Sequence, residues 1–241
     1  MSEKETSNFR SILNTIEESA SSFIEGFAEG TVGKPESLRN GNELDPVKLP
    51  RDLYAHSDSQ TEWWYYTGHA ETTAGNRFGF ELVFFKRRTD HDKFGIIPIR
   101  LLGNPLYAAH FAITDYQNRQ FRYSHRKSAN GWFDYPASAS EEHYHLVLGD
   151  WSLRESHGNH ILRATTNNDL KFDAVLEPKK EVIINGAKKD GVAIKDKNEA
   201  SRYFSYTRME MEGDIVWNGE TEHFKGSAWM DRAPSTSRPS S

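Results

Sequence analysis

The segment Thr61–His69 constrains the fold of this chain most, because four consecutive aromatic residues follow a single carboxylate within it. Aromatic residues favour β-strands, and successive side chains of a strand point to opposite faces. Glu62, Trp64 and Tyr66 are therefore predicted to share one face, with the odd-numbered aromatics on the other. Neither face can be fully solvated without exposing about 150–250 Å² per ring. We therefore expect one face to meet a core or cavity and the other a covering layer.

An acid beside stackable rings has two interpretations. Glu62 could lie next to an apolar ligand that the rings hold, which would make this strand part of a binding or catalytic site. It could equally be one hydrogen-bonded carboxylate in the core of the protein. The segment alone leaves both alternatives open.

The composition narrows the class of protein. With 36% hydrophobic and 12% aromatic residues the chain can build a core, unlike a disordered sequence. A net charge of −5 argues against nucleic acid as a partner, and the absence of cysteine excludes disulfides and thiolate ligands. The sequence contains no apolar run of 18 residues, so it predicts no membrane-spanning helix. The acidic N-terminus does not resemble a secretory signal, so we expect a cytoplasmic protein that could lie at a membrane surface.

The chain divides into four parts by pattern. Residues 1–30 have the apolar stripe of an amphipathic helix, and residues 31–50 form a linker rich in glycine and proline. Residues 51–232 predict a β domain, and the polar residues 233–241 predict a disordered tail.

Short strands separated by tight-turn signals fill the β domain. Turn signals include Ala74-Gly75-Asn76, Gly213-Asp214 and Asn218-Gly219. This pattern predicts an antiparallel sandwich or barrel. The predicted strands are 61–72, 77–88, 106–115, 119–126, 142–148, 151–155, 160–166, 170–176, 200–212, 214–217 and 220–230. The stretches 87–104 and 127–140 are predicted to be long loops, which are often functional.

Two strands carry unusual polar residues. In 106–115 small residues surround His110, which would leave volume in a barrel interior, unless a large neighbour fills it and His110 is a core residue. In 220–231 Trp229 and Asp231 share a face, and the role of that face depends on whether it is inside or outside. His143 and His145 could contribute to a zinc site, which needs at least one more ligand. That ligand could be His110, His223, Asp231 or Glu62, but nothing in the spacing requires it, so we predict no metal.

Five segments together resemble the lipocalin-like family of carotenoid hydratases (hydroxyneurosporene synthases) and AttH-type proteins, to which fungal decalin-forming Diels–Alderases are related. They are 61–68, 78–85, 108–115, 203–208 and 226–232. The resemblance implies an antiparallel calycin-type barrel, an apolar polyene or isoprenoid substrate and no cofactor. Family members continue after a Trp-Met-Asp motif, here Trp229-Met230-Asp231, into a second lipocalin-like domain. In this chain Arg232 follows the motif and a polar tail follows Arg232. The chain therefore resembles an N-terminal half, which could pair with itself or with a partner domain.

The resemblance also implies site residues. Glu62 or Asp231 would be the acid that protonates an alkene, with a pKa raised by apolar burial. His110 or Tyr206 would position the water that adds to the carbocation. The residues expected to bind the ligand are Trp64, Tyr66, Phe80 and Trp229. The leading hypothesis is thus acid-catalysed alkene hydration. The alternatives are a non-catalytic binder of an apolar ligand, a cyclase-type enzyme and an inactive truncated half.

Overall fold

A computed structural model gives the fold over most of the β domain. It describes residues 45–89, 93–94, 97–98, 104–129, 135–166, 170–186, 191–194 and 199–237. The predicted helix 1–30 and most of the predicted linker 31–50 lie outside the described residues.

The described residues are almost entirely β-strand, with one short 3-10 helix at Arg51–Leu53. The strands are β1 Thr61–Thr72, β2 Arg77–Arg87, β3 Lys93–Phe94, β4 Ile97–Pro98, β5 Leu106–Asp115, β6 Gln120–Ser128, β7 Ala137–Ala139, β8 His145–Leu148, β9 Trp151–Ser156, β10 Asn159–Thr165, β11 Leu170–Pro178, β12 Ile183–Ile184, β13 Val192–Ile194, β14 Glu199–Arg202, β15 Phe204–Trp217 and β16 Glu220–Ser237.

One antiparallel sheet organises these strands in the order β6-β5-β2-β1-β16-β15-β11-β10-β9-β8-β7. The sheet curls into a nearly closed barrel, so the expected all-β, lipocalin-like architecture is confirmed. Arg126 of β6 links the two ends of the sheet by donating to the Leu148 carbonyl at 3.2 Å and to Thr165 Oγ1 at 2.9 Å. Its guanidinium also lies 4.6 Å from the Trp151 ring centre, so side chains hold this seam.

The barrel interior contains three layers, which follow the inner face of β1 from its start to its end. Glu62 lies in a charged layer at one end, and Tyr66 belongs to a polar aromatic layer in the middle. Beyond Tyr66 the interior is filled by apolar rings. That third layer includes Phe78, Phe80, Phe111, Phe172 and Phe224.

Gly213 was expected in a tight turn, but β15 runs straight through it to Trp217. A β-carbon at Gly213 would lie 2.0 Å from the Asp173 carbonyl oxygen. Glycine is needed there because the neighbouring strand β11 approaches closely, and not because the chain reverses direction.

The expected disordered tail is also wrong for residues 233–237, because β16 extends to Ser237. Pro234 pairs with Glu62 of β1, and Thr236 pairs with Ala200 of β14. Neighbouring strands on both sides therefore order a segment whose composition is polar. Both predicted long loops contain short strands. The described parts of 87–104 include β3 and β4, and 127–140 includes β7.

Candidate functional site

The two faces of β1 separate as the alternating pattern predicts. Glu62, Trp64 and Tyr66 are each 0% exposed and point into the barrel. Trp63 and Tyr65 are half-buried and point outward. The strand therefore contributes to two distinct environments, one sealed inside the barrel and one on its outer surface.

Glu62 is held by three basic groups in the charged layer. Its carboxylate accepts hydrogen bonds from Arg232 Nη2 at 2.6 Å and from Lys86 Nζ at 3.1 Å. His56 Nδ1 lies 2.9 Å from Glu62 Oε1, and the His56 backbone N–H donates to Oε2 at 3.0 Å. The carboxylate is thus neutralised and hydrogen-bonded on both oxygens.

These partners correct the expectation that burial makes Glu62 a proton donor. Burial by itself would raise the pKa of Glu62, but Arg232, His56 and Lys86 together hold it well below its usual range. A carboxyl group in this state stays ionised and cannot protonate an alkene. The burial of Glu62 and its cationic partners favour the second interpretation, a hydrogen-bonded carboxylate in the core.

The charged layer also fixes the segment that precedes β1. His56 Nε2 lies 2.9 Å from Asp52 Oδ1, and the Arg232 guanidinium stacks 3.9 Å above the Trp64 ring centre. Arg232 Nη2 donates to the Tyr54 carbonyl at 2.8 Å. The layer thus ties residues 52–56 across the end of the barrel.

The middle layer is a hydrogen-bonded group of tyrosines around one histidine. Tyr66 Oη lies 2.6 Å from Tyr144 Oη and 2.7 Å from His160 Nδ1. The Tyr206 ring packs edge-on against His160, with ring centres 5.0 Å apart. Burial lowers the pKa of His160 to about 3 and raises that of Tyr206 to about 12. All four side chains are therefore neutral near neutral pH, and all four are buried.

Phe80 lies in the third layer, where packing is tight. Its ring centre is 4.9 Å from that of Phe172, and Phe172 stacks on Phe224 at 5.3 Å. Phe80 is 4% exposed. It contributes to the core at this end of the barrel.

The register of the sheet defines a continuous surface on the other side, which we call the outer face. Asp231 of β16 lies opposite Tyr65 of β1, which lies opposite Val83 of β2 and then His110 of β5. Two further rows flank this one. They run Trp229–Thr67–Glu81–Ala112 and Ala233–Trp63–Phe85–Ala108.

The orientation of β5 corrects the expectation for His110. Ala109, Phe111 and Ile113 form the side that packs into the core, so the small residues around His110 lie on the outer face. His110 contacts Phe85 edge-on at 6.2 Å. Burial and its neighbour His125 lower the pKa of His110 to about 4. With three strand spacings between them, the α-carbons of His110 and Asp231 are about 14 Å apart.

Asp231 differs from Glu62 in its partners. Ser205 Oγ donates to Asp231 Oδ1 at 2.5 Å, and Tyr203 also hydrogen-bonds to this carboxylate. Within the described part of the chain, its hydrogen-bond partners are these hydroxyl groups and not an arginine or lysine. Asp231 is half-buried and Trp229 is 39% exposed, so both are accessible from outside.

Tyr65 connects Asp231 to a second carboxylate. Its Oη donates to Glu81 Oε2 at 3.3 Å, while Asp231 is its direct neighbour in the next strand. Burial, followed by Glu81, raises the pKa of Tyr65 well above its usual value. Glu81 is 7% exposed.

The eight predicted site residues therefore fall into two groups. Five lie inside the barrel, namely Glu62, Trp64, Tyr66, Phe80 and Tyr206. Three lie on the outer face, namely His110, Trp229 and Asp231. No single pocket unites the two groups, because the sheet itself separates them.

Sequence reasoning missed the inner partners His56, Lys86, Tyr144, His160 and Arg232. A signal existed for Arg232, because it continues the alternation of Ala228 and Met230, which are both buried. A positive charge at a predicted inner position requires a buried partner, and Glu62 was the nearest predicted inner acid. His160 gave no comparable signal.

The described residues include neither a metal-binding cluster nor a membrane-spanning helix. They contain no group of three or more histidine, aspartate or glutamate side chains placed to hold a metal ion. In the same part of the chain, no helix is both long and apolar enough to cross a membrane.

The fold and site define an antiparallel lipocalin-like barrel with a sealed charged interior and an aromatic outer face that bears an accessible carboxylate. Residues 40–240 match the family described as AttH-like, and the chain belongs to that family. No curated protein matches the chain.

Two solved structures share the fold. An assigned AttH protein from Nitrosomonas europaea superposes with a TM-score of 0.68 and 24% identity over 85% of this chain. Kievitone hydratase from Nectria haematococca gives a TM-score of 0.53 and 12% identity over 88% of this chain. The matched regions are 59% and 58% of those two chains, so this chain spans less than two thirds of either.

Proposed function

We propose that this protein binds an apolar, alkene-containing small molecule, of the polyene or isoprenoid class, on its outer face and adds water to a double bond. One observation carries the proposal: Asp231 is half-buried, lies opposite Tyr65 and near the partly exposed Trp229, and its hydrogen-bond partners are hydroxyl groups. Membership of the AttH-like family and a fold shared with a hydratase support it.

The chemistry follows from the residues around Asp231. In its protonated form, Asp231 donates its proton to one alkene carbon, and the neighbouring carbon becomes cationic. The faces of Tyr65, Trp63 and Trp229 stabilise that cation, as aromatic rings stabilise other cations. Water then bonds to the cationic carbon and loses a proton to complete the alcohol. No cofactor is required for this sequence.

The proposal reduces the set of catalytic residues. The role of the acid is assigned to Asp231 and not to Glu62, because the basic partners of Glu62 keep its carboxylate ionised. Tyr206 cannot position water on the outer face, because it lies inside the barrel next to His160. His110 shares the face with Asp231 but lies two strands beyond Tyr65, so we assign it to the far side of the binding surface.

The test is product analysis by mass spectrometry after incubation with a linear carotenoid in heavy-oxygen water. The parent protein should form a product heavier by one labelled water, and Asp231→Asn should lower the rate by about 10²–10⁴-fold, the usual contribution of a general acid. Asp214→Asn is the matched control, because Asp214 lies on the neighbouring strand in an exposed pair with His223. Equal rates in the parent and Asp231→Asn would contradict the proposal.

A non-catalytic binder is the second candidate, favoured by the 39% exposure of Trp229 on the same face. It predicts saturable quenching of tryptophan fluorescence by the carotenoid without any product. Size-exclusion chromatography of the same sample would report whether a second copy of the chain completes the binding surface.

A further inference from the structure

The outer face holds a second carboxylate, and the proposed hydration leaves one chemical role unassigned. Asp231 gives a proton to the alkene, but the water that adds must lose one. If only Asp231 were present, its carboxylate could take the proton back from the cation and regenerate the alkene. A separate proton acceptor would direct the cation toward the alcohol.

We propose that Tyr65 and Glu81 form this acceptor: Tyr65 contacts the attacking water, and Glu81 behind it receives the proton. The inference rests on the proposed function and adds a role for residues that it does not include. Tyr65 Oη donates to Glu81 Oε2 at 3.3 Å and is also hydrogen-bonded to Thr67, so the phenol oxygen can accept one further hydrogen bond, from water.

The position of Tyr65 fits this role. It lies directly opposite Asp231 in the register of β1 and β16. Glu81 follows diagonally on β2, where it is paired with Thr67 on one side and with Ala112 on the other. The acid and the phenol therefore lie in one row of the sheet, and the acceptor lies in the adjacent row on the third strand.

The spacing leaves room for the reactants. The α-carbons of Asp231 and Glu81 are two strand spacings and one two-residue step apart, or about 12 Å. Other enzymes hold a water between an acid and a base about 6.5–9.5 Å apart, and here Tyr65 spans the longer separation through its 3.3 Å contact with Glu81. The half-buried ring of Tyr65 lies between the two carboxylates.

The proton balance closes over one turnover. The Asp231 O–H bond breaks as a C–H bond forms, and a C–O bond forms between water and the cation. The water proton passes to the Tyr65 oxygen as the Tyr65 proton passes to Glu81. Asp231 ends as a carboxylate and Glu81 as a carboxylic acid, and the proton returns from the buried Glu81 through Tyr65 and water to the half-buried Asp231, which restores both.

The distinguishing experiment uses the full chain with a linear carotenoid in deuterated water. For the parent, Glu81→Gln and Tyr65→Phe, we would measure both the hydrated product and deuterium in the recovered alkene. Both variants keep Asp231, so they should still protonate and deprotonate the alkene. We expect hydration to fall by about 10²-fold, the low end of the range for a general base, while deuterium exchange persists.

Several outcomes separate this inference from the proposed function. A parallel fall in hydration and exchange would indicate a merely structural role for the pair, and normal hydration in Glu81→Gln would also overturn the assignment. Glu81→Asp should restore part of the hydration, and Glu212→Gln, in an exposed pair with Lys225, should match the parent. If the parent neither hydrates nor exchanges, the proposed function is wrong and the assignment is wrong with it.

Discussion

The inner and outer faces of β1 hold their carboxylates in opposite ways. Inside the barrel, Glu62 is fully buried and contacts Arg232, Lys86 and His56. Outside, Asp231 is half-buried and accepts hydrogen bonds from hydroxyl groups. Adjacent strands of one sheet thus hold one acid inside the barrel among cations and another outside it among hydroxyl groups, and only the second enters the proposed chemistry.

Adjacent residues of β16 connect the two environments. Arg232 points inward to Glu62, and Asp231 points outward beside Tyr65. The inner layer therefore fixes the backbone that presents Asp231. This arrangement predicts that substitutions inside change stability most and that substitutions outside change function most.

The largest expected effect on stability is that of Glu62→Gln. The substitution leaves Arg232 and Lys86 buried without their anion, and breaking a buried ion pair from one side costs about 3–5 kcal/mol. Urea unfolding followed by tryptophan fluorescence would measure it. Asp231→Asn should cost only about 0.5–1.5 kcal/mol, the usual value for one hydrogen bond.

Glu212→Gln is the matched control for charge removal, since an exposed pair contributes at most about 1 kcal/mol. If Glu62→Gln destabilised the protein no more than Asp231→Asn does, the contrast between the faces would not hold.

A smaller effect is expected in the dependence of stability on pH. Burial lowers the pKa of His160 from its usual 6.5 to about 3. Between those values the unfolded chain binds a proton that the folded protein does not, so stability falls as the pH is lowered from about 6.5, by at most about 1.4 kcal/mol per pH unit.

His160→Gln should reduce this slope when the free energy of unfolding is measured in urea between about pH 7 and pH 5. Glu62 does not contribute in this range, because it lies above the usual pKa of a glutamate, 4.5. The two histidines should separate only below about pH 5, where His110→Gln should reduce the slope less, because the pKa of His110 is lowered to about 4 and that of His160 to about 3. The comparison would be contradicted if the outer histidine had the larger influence.

The strands were largely predictable because their signals are local. Alternating aromatic and apolar residues between turn residues gave the bounds 61–72 and 106–115, which the structure reproduces. It was harder to predict which face of each strand points into the barrel, because both faces of β5 are partly buried and small residues lie on the outer one. Periodicity defines two faces but does not say which is inside.

The charged layer was not predictable in the same way. Its members come from separate segments, with Lys86 on β2, Arg232 on β16 and His56 before β1. Only the strand register brings them to one carboxylate. The sequence predicted Glu62 as a buried acid but not the cations that determine its charge.

The smallest expected effect on function belongs to Trp229→Ala. Trp229 is 39% exposed on the outer face, so most of the ring is buried and its removal should lower the free energy of unfolding by about 1–2 kcal/mol. The same change should weaken carotenoid binding by about tenfold, or about 1.4 kcal/mol, since it removes a stacking ring beside Asp231.

Tyr123→Ala is the control, because Tyr123 is 66% exposed on β6, at the far edge of the same surface. Equal loss of binding in both variants would mean that the ligand contacts exposed rings in general, and a loss confined to Trp229→Ala would localise binding to the surface around Asp231.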